Sequence, residues 1–365
     1  MSLRYHNPVA IHFGAGAIEE LPSLLAGRRT VLVTFPEAEA LGLVSRLRAI
    51  VGQALLGIED QVEPNPDVRY LAAMYERFWE RHPDCETVLA VGGGSAIDSA
   101  KALVVGTASG KFDELIALLS EGGAFEPHRL KALIAVPTTS GTGSEVTPWA
   151  TIWDRAAGRK YSLHLPQTWP EAAIVDPDLM MTLPDAVTVQ SGLDALSHAL
   201  ESVWNVNANP VSDTFAIAAA REVMSTLPAL RADPGNRTLR ARMAIAALKA
   251  GLAFSNTKTA LAHSISYEMT LRFGLPHGIA CSFTLPMVLG RARGIDPARD
   301  GVLAAIFGDD LEDAPRRLAA FLESMGVATS FAAYGVPEED SRRMVAQALD
   351  GVRGRNFIGA GGRAP

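Results

Sequence analysis

Four short runs of β-branched and apolar residues, each shut off by glycine or proline, constrain the first half of this chain more than any other feature. They are TVLVTF at Thr30–Phe35, TVLAV at Thr87–Val91, LIAV at Leu133–Val136 and AIV at Ala173–Val175, closed by Pro36, Gly92, Pro137 and Pro177. Between them lie stretches of helical period, such as Val68–Arg81 and Ala96–Val105. A strand that is apolar nearly throughout must be buried on both faces, and strand–helix alternation supplies the covering helices. The expectation is a Rossmann-like α/β domain built on a parallel sheet. Ligands of such sheets bind beyond the carboxyl ends of the strands, where these turn residues lie.

Past about Leu183 the strand signals thin out. Long Ala/Leu-rich segments take over at Asp185–Val203, Val211–Leu227, Thr238–Phe254, Asp313–Met325 and Glu338–Leu349. Pro184, Pro210, Pro228, Pro234 and Pro337 stand at or near their ends, where proline is tolerated. The chain is expected to divide into residues 1–180, an α/β dinucleotide-binding domain, and 181–365, an all-helical domain.

Composition narrows the function by exclusion. A net charge of −7 with no basic stripe speaks against a nucleic-acid surface, and no apolar run is long enough for a membrane helix. Only the tail is locally basic, with Arg353, Arg355 and Arg363, which reads as a solvated end. The opening MSLRYHNPVA holds no apolar h-region, and Cys85 and Cys281 are too few for a disulfide framework. A cytoplasmic location is expected.

Two loops suit a nucleotide. Val91–Lys101 reads VGGGSAIDSAK: a strand end, then Gly92, Gly93, Gly94 and Ser95, then a helix. Glycines let backbone N–H groups approach an anion, and the helix start adds free donors and a favourable dipole. The spacing is not GxGxxG, and a glycine turn after a strand is common. Pro137–Glu145, PTTSGTGSE, follows another strand and gathers Thr138, Thr139, Ser140 and Thr142 on one loop. Hydroxyls and amides satisfy phosphate, ribose or carboxamide without formal charge, and Lys160 could add a cation. The second strand ends Val33-Thr34-Phe35-Pro36 with no acid before Glu37, which leaves the choice between NAD and NADP open.

The helical half carries a second chemistry. In SGLDALSHALES, Ser191–Ser202, Asp194 and His198 are four residues apart among good helix formers and share one helical face. His263 follows, and then His277 in the run GLPHG, held on a tight turn. A single histidine on an apolar helix is usually a core residue; one carboxylate with three imidazoles suits a divalent transition ion. Cys281, four residues past His277, offers a soft ligand, although a small buried thiol is the commoner use of such a residue.

The motifs GGGSAIDSAKA (Gly92–Ala102), PTTSGTGSEVT (Pro137–Thr147), VDPDL (Val175–Leu179), GLDALSHALES (Gly192–Ser202) and LPHGIACS (Leu275–Ser282) occur in order along the chain. On these blocks it resembles the iron-containing (group III) alcohol dehydrogenases over essentially its whole length. The resemblance implies Asp194, His198, His263 and His277 as ligands of Fe²⁺, or sometimes Zn²⁺, in a metal-dependent alcohol dehydrogenase or aldehyde reductase. It implies NAD or NADP held by the GGGS and TTSGTGS loops, with Asp98 in the first block, and an active-site cleft between the domains. Hydride would pass between nicotinamide C4 and a small alcohol or aldehyde, in a homodimer or larger homo-oligomer. Where many members carry a further histidine near nicotinamide and substrate, this chain has Tyr267, a phenol of unperturbed pKa ~10 and a weaker proton buffer than imidazole. HSISY and RGRNFIG (Arg353–Gly359) are similar to a branch associated with phosphonate metabolism, which includes phosphonoacetaldehyde reductases. A phosphonate would pair with Arg353 or Arg355. A lyase or synthase like dehydroquinate synthase, or a non-catalytic nucleotide-binding protein, would share the architecture.

Overall fold

A computed structural model describes residues 4–122 and 125–360 of the chain. These fall into two compact units: one holds Pro8–Thr139 and Ser144–Met180, the other the chain up to Asn7, Ser140–Gly143 and everything from Met181 on.

The first unit is built on six parallel strands: β1 (Ala10–Phe13), β2 (Thr30–Val33), β3 (Leu55–Glu59), β4 (Thr87–Gly92), β5 (Ala132–Pro137) and β6 (Ala172–Val175). They lie in the order β1-β6-β5-β4-β2-β3. The period of two explains why both faces are covered. Val31, Val33, Val88, Ala90, Leu133 and Ala135 point into one apolar core. Leu32, Leu89, Val91, Ile134, Val136 and Ile174 point into another on the opposite face. The four expected runs are the four interior strands. The two edge strands carry mixed sequences, AIHF and LLGIE, with partly exposed side chains, so they lack a continuous apolar signature. An antiparallel hairpin, Trp149–Asp154 with Arg159–His164, was likewise not anticipated. In-register pairing sets Gly92 beside Pro137, so the ends of β4 and β5 are neighbours. The helix α1 (Gly94–Leu103) starts directly from β4.

The second unit is helical. Its first five helices are α2 (Asp185–Val203), α3 (Pro210–Ala232), α4 (Arg237–Thr257), α5 (Leu261–Phe273) and α6 (His277–Ser282). Alanines at 195, 199, 216, 219, 220, 246, 247 and 250 lie in one core, small enough to let α2, α3 and α4 pack closely. Asn209 caps α3 by accepting from the Val211 and Ser212 amides while Ser212 Oγ accepts from the Asn209 amide, with Pro210 at the first helical position. Pro228 corrects the expected boundary. It lies inside α3, which runs on to Ala232. The lost N–H falls close to the helix end, and buried Leu227 and Leu230 clamp the turn on either side. Among the described residues, no helix is long and apolar enough to cross a membrane.

Candidate metal centre and nucleotide turn

Asp194 Oδ1 is the hub of the helical unit's polar cluster. On α2, one turn on, His198 presents Nε2 at 3.9 Å from it. From α5, His263 Nε2 lies at 3.5 Å, and from α6, His277 Nε2 lies at 3.9 Å. His277 corrects a local expectation: it opens α6 behind Pro276 and does not sit on a tight turn. Its approach to α2 depends on Gly278, where a Cβ would stand 1.9 Å from the Gln190 carbonyl oxygen.

Asp194 Oδ1 and His263 Nε2 are buried and make no hydrogen bond. An unsatisfied buried polar atom costs about 1–3 kcal/mol, a cost that a shared cation removes. Nitrogen or oxygen donors ~2.1 Å from a tetrahedral ion are ~3.4 Å apart, and the observed separations are close to that. The donor set fits a divalent ion.

The electrostatics agree. Burial alone would raise the Asp194 carboxyl, but His198, His277 and His263 outweigh it and hold the group well below the usual carboxylate range. Burial pushes His198 down to about 4 against the pull of Asp194, so near neutral pH its imidazole keeps a lone pair for an ion. His263 differs: burial opposes its charge, yet Cys281, Glu201 and Asp194 together raise it well above the ordinary imidazole value. The His198 ring stacks on Phe254, with centroids 4.1 Å apart.

Of two further residues in the cluster, Cys281 was expected as a soft ligand or, more commonly, a small buried thiol, and Glu201 carried no role in the sequence. Cys281 is fully buried and brings Sγ to 3.5 Å from His277 Nε2. Glu201, also fully buried, accepts a 2.6 Å hydrogen bond from His263 Nδ1. The same carboxylate accepts from the amides of Ala260 (3.0 Å), Ala262 (2.5 Å) and His263 (3.3 Å). α5 has no side-chain cap of its own, so Glu201 supplies one from α2. One carboxylate thus ends a helix and fixes which nitrogen of His263 faces Asp194. The signal was present: Glu201 is three residues past His198, on the same face of a buried helix.

Tyr267, one turn after His263, lies outside this donor group. Its ring packs under the Arg353 guanidinium, 5.0 Å from centroid to Cζ. Arg353 is half-buried and Arg355 exposed, so the solvated-tail reading holds only for Arg355. Arg363 lies outside the described residues.

In the α/β unit, Gly93 is the N-cap of α1 and provides no side-chain cap, which leaves the Gly94 and Ser95 amides at the helix start. Gly92 cannot be replaced without conflict: a Cβ would stand 2.7 Å from the Ala96 Cβ. Thr139 flanks this turn, its side chain 3.5 Å from where a Gly93 Cβ would be. Ser140 and Thr142 belong to the segment that packs with the helical unit; a Cβ on Gly141, between them, would meet Ser191 at 2.7 Å. Lys160 is on the hairpin, half-buried, with Nζ 5.7 Å from the Trp153 ring centroid.

Asp98 also holds the fold together: Oδ1 accepts from Ser144 Oγ (2.6 Å) and Oδ2 from the Thr151 amide (2.7 Å). Buried Lys101 donates to Ser144 Oγ, the Ser144 carbonyl and the Trp149 carbonyl, each at 2.7 Å. Asp98 therefore anchors α1 to the segments after β5.

Comparison with known proteins decides the family. The sequence pattern of iron-containing alcohol dehydrogenase matches residues 8–177, and that of the Fe-containing alcohol dehydrogenase family, C-terminal, matches residues 188–360. The chain belongs to the iron-containing alcohol dehydrogenase family. Within this family it is 30% identical over 360 residues to the NAD-dependent methanol dehydrogenase of Bacillus methanolicus, covering 94% of this chain and 93% of that one. It is 29% identical over 355 residues to the NADPH-dependent butanol dehydrogenase of Clostridium saccharobutylicum, covering 94% and 89%. The structure of sulfoacetaldehyde reductase from Bifidobacterium kashiwanohense in complex with NAD⁺ superposes with a TM-score of 0.89 at 30% identity, covering 98% of this chain and 95% of that one. Iron-containing alcohol dehydrogenases are oxidoreductases, and the parallel-sheet and helical units have the architecture of that family.

Proposed function

We propose that this family member interconverts a small anionic aldehyde and its primary alcohol, with phosphonoacetaldehyde as the test substrate, using a divalent metal and NAD(H) or NADP(H). The observation that carries the substrate reading is Arg353. Its guanidinium is half-buried over Tyr267, one turn from His263, and among the described residues no carboxylate lies within ion-pair distance of it. Burial pushes it down to about 10, with Glu201 partly opposing. A desolvated cation without a paired anion favours a ligand that brings one. The similar sulfoacetaldehyde reductase acts, by its name, on a sulfonated aldehyde.

Asp194, His198, His263 and His277 would hold the ion, which when bound polarises a carbonyl oxygen as a Lewis acid. Glu201 keeps His263 in the tautomer that turns Nε2 to the ion. The uncapped start of α1, with Gly92, Gly93 and Thr139 around it, would take the nucleotide pyrophosphate. The end of β2 offers no acid to select the ribose 2′-hydroxyl, in keeping with NAD- and NADPH-dependent relatives alike. Tyr267 and Arg353 would orient the substrate and exclude water from its reacting end.

The test compares kcat/KM for phosphonoacetaldehyde and an uncharged aldehyde of similar size, in wild type and Arg353→Met. A charge-assisted contact of about 1.5–3 kcal/mol predicts a preference for the anion of roughly 10- to 100-fold that the variant loses. Equal kcat/KM for both aldehydes in the wild type removes the anionic-substrate reading.

A further inference from the structure

The second hydroxyl-rich loop does not stay with the sheet that it follows. The chain leaves the α/β unit after Thr139, runs with the helical unit from Ser140 to Gly143, and returns at Ser144. Both ends of this excursion are tied to the nucleotide turn and its helix. The Thr138 amide donates to the Gly92 carbonyl at 2.9 Å. Ser144 is held by Asp98 and Lys101, both on α1. Between these ties the loop is packed tightly. A Cβ on Gly141 would stand 2.7 Å from the Ser191 carbonyl oxygen, on α2 three residues before Asp194. Gly143, at φ 62°, is so close to α4 that a Cβ would stand 2.6 Å from the Gly251 Cα and 2.9 Å from the Phe254 ring. Phe254 in turn lies face to face with His198, the ring planes 12° apart. A metal-ligating imidazole ordinarily gives its other N–H to an oriented acceptor, as His263 gives Nδ1 to Glu201. His198 Nδ1 is buried and closes no hydrogen bond of ordinary geometry. The Gly141 carbonyl is the loop group that draws this ring toward its protonated form.

We propose that Ser140–Gly143 is a positioning element for His198 and couples the nucleotide turn to the metal centre. A pyrophosphate at the Gly92–Gly94 turn orders the loop through its two ties. The ordered loop seats Phe254 against the imidazole and brings the Gly141 carbonyl to Nδ1–H, which holds Nε2 toward Asp194. The two arrangements differ by one hydrogen bond, open or closed, from His198 to the loop. Nucleotide and metal then favour the same arrangement, so each raises the affinity of the other by the same factor.

This inference rests on the readings that the cluster binds a metal and the turn a pyrophosphate, and the experiment separates the three. Zn²⁺ affinity of the wild type is measured in chelator-buffered zinc, with and without saturating ADP-ribose. That probe carries the pyrophosphate but no nicotinamide to act on the ion directly. ADP-ribose affinity is measured by calorimetry with and without Zn²⁺. Each ligand should tighten the other by the same factor, roughly 5- to 150-fold. Gly143→Ala, which drives a Cβ into α4, should bring that factor to about one in protein that still binds each ligand alone. Independent binding of the two ligands to the wild type overturns the coupling and leaves both underlying readings intact. Failure of either ligand to bind alone overturns the reading that concerns it, and the coupling with it. Coupling that survives unchanged in Gly143→Ala refutes the loop as its route. In nitrogen-15 spectra of histidine-labelled, zinc-loaded protein, the His198 Nδ1–H should exchange more slowly once ADP-ribose is added. An unchanged exchange rate refutes the hydrogen bond to Gly141.

Discussion

Replacing Glu201 by Gln tests whether one buried carboxylate orders the centre. The side chain keeps its shape, so packing in α2 is preserved, but its charge and half of its acceptor capacity are lost. In the wild type the two oxygens accept from His263 Nδ1 and from three amides at the start of α5. Glutamine can serve one side of this set, and its NH₂ then faces donors on the other. At about 1.5–3 kcal/mol for each charge-assisted hydrogen bond, losing two costs roughly 3–6 kcal/mol. That is a large share of a typical folding free energy of about 5–15 kcal/mol. Urea unfolding should show a lower midpoint at unchanged slope. The second readout is metal affinity in the folded protein, by competition with a chelator. Loss of a hydrogen bond that orients a ligand typically weakens metal binding by about 10- to 100-fold, or roughly 1.4–2.8 kcal/mol. A purely structural Glu201 would lower the midpoint without changing that affinity. Unchanged midpoint and unchanged affinity together would refute both roles.

Three further outcomes follow from particular contacts. His198→Ala should remove most turnover; wild-type turnover with metal at full stoichiometry would exclude His198 from the site. Gly278→Ala drives a Cβ into the Gln190 carbonyl, so thermal unfolding should report a loss of at least about 1–3 kcal/mol and metal titration a weaker site; wild-type values for both would show that α6 can shift freely. Glu145, buried in the α/β unit, is pushed up to about 7 by desolvation against the pull of Lys101. Its folded pKa lies above the unfolded one, so its contribution is full below about pH 4.5 and lost as pH rises through about 7. Denaturant titrations should show wild type losing up to ~3 kcal/mol relative to Glu145→Gln across that window, and parallel stability curves would contradict the shift.

The interior of the sheet was legible because burial on both faces forces apolar residues at every position. Thr30–Val33 and Thr87–Gly92 are buried throughout, as is Ala132–Pro137 past its half-buried first residue, and such runs have few other uses. β1 and β3 were not legible for the converse reason: with one partner strand each they tolerate His12, Gly57 and exposed leucine. Pro228 misled because proline is read as an end signal, whereas near a helix terminus it removes only a bond that was close to fraying. The short helix His277–Ser282 was hidden by its glycine, which is there for the close approach of α2 and not for a turn.

The site divides along the same physical line. Asp194 and His198 announce themselves, because two polar residues one turn apart on an otherwise apolar helix demand a shared partner. Glu201 obeys the same spacing, yet its partners are backbone amides at the start of α5, sixty residues away and without any sequence mark of needing a cap. Asp98, a carboxylate inside a glycine-rich nucleotide motif, accepts from Ser144 and the Thr151 amide, partners that its spacing does not announce. Residue type and spacing say that a charge must be satisfied; only the folded neighbourhood says by what. Arg353 presses this furthest. It is a tail arginine that the fold turns inward over Tyr267. Among the described residues no carboxylate pairs with it, so the anionic substrate proposed above is the group that would satisfy it.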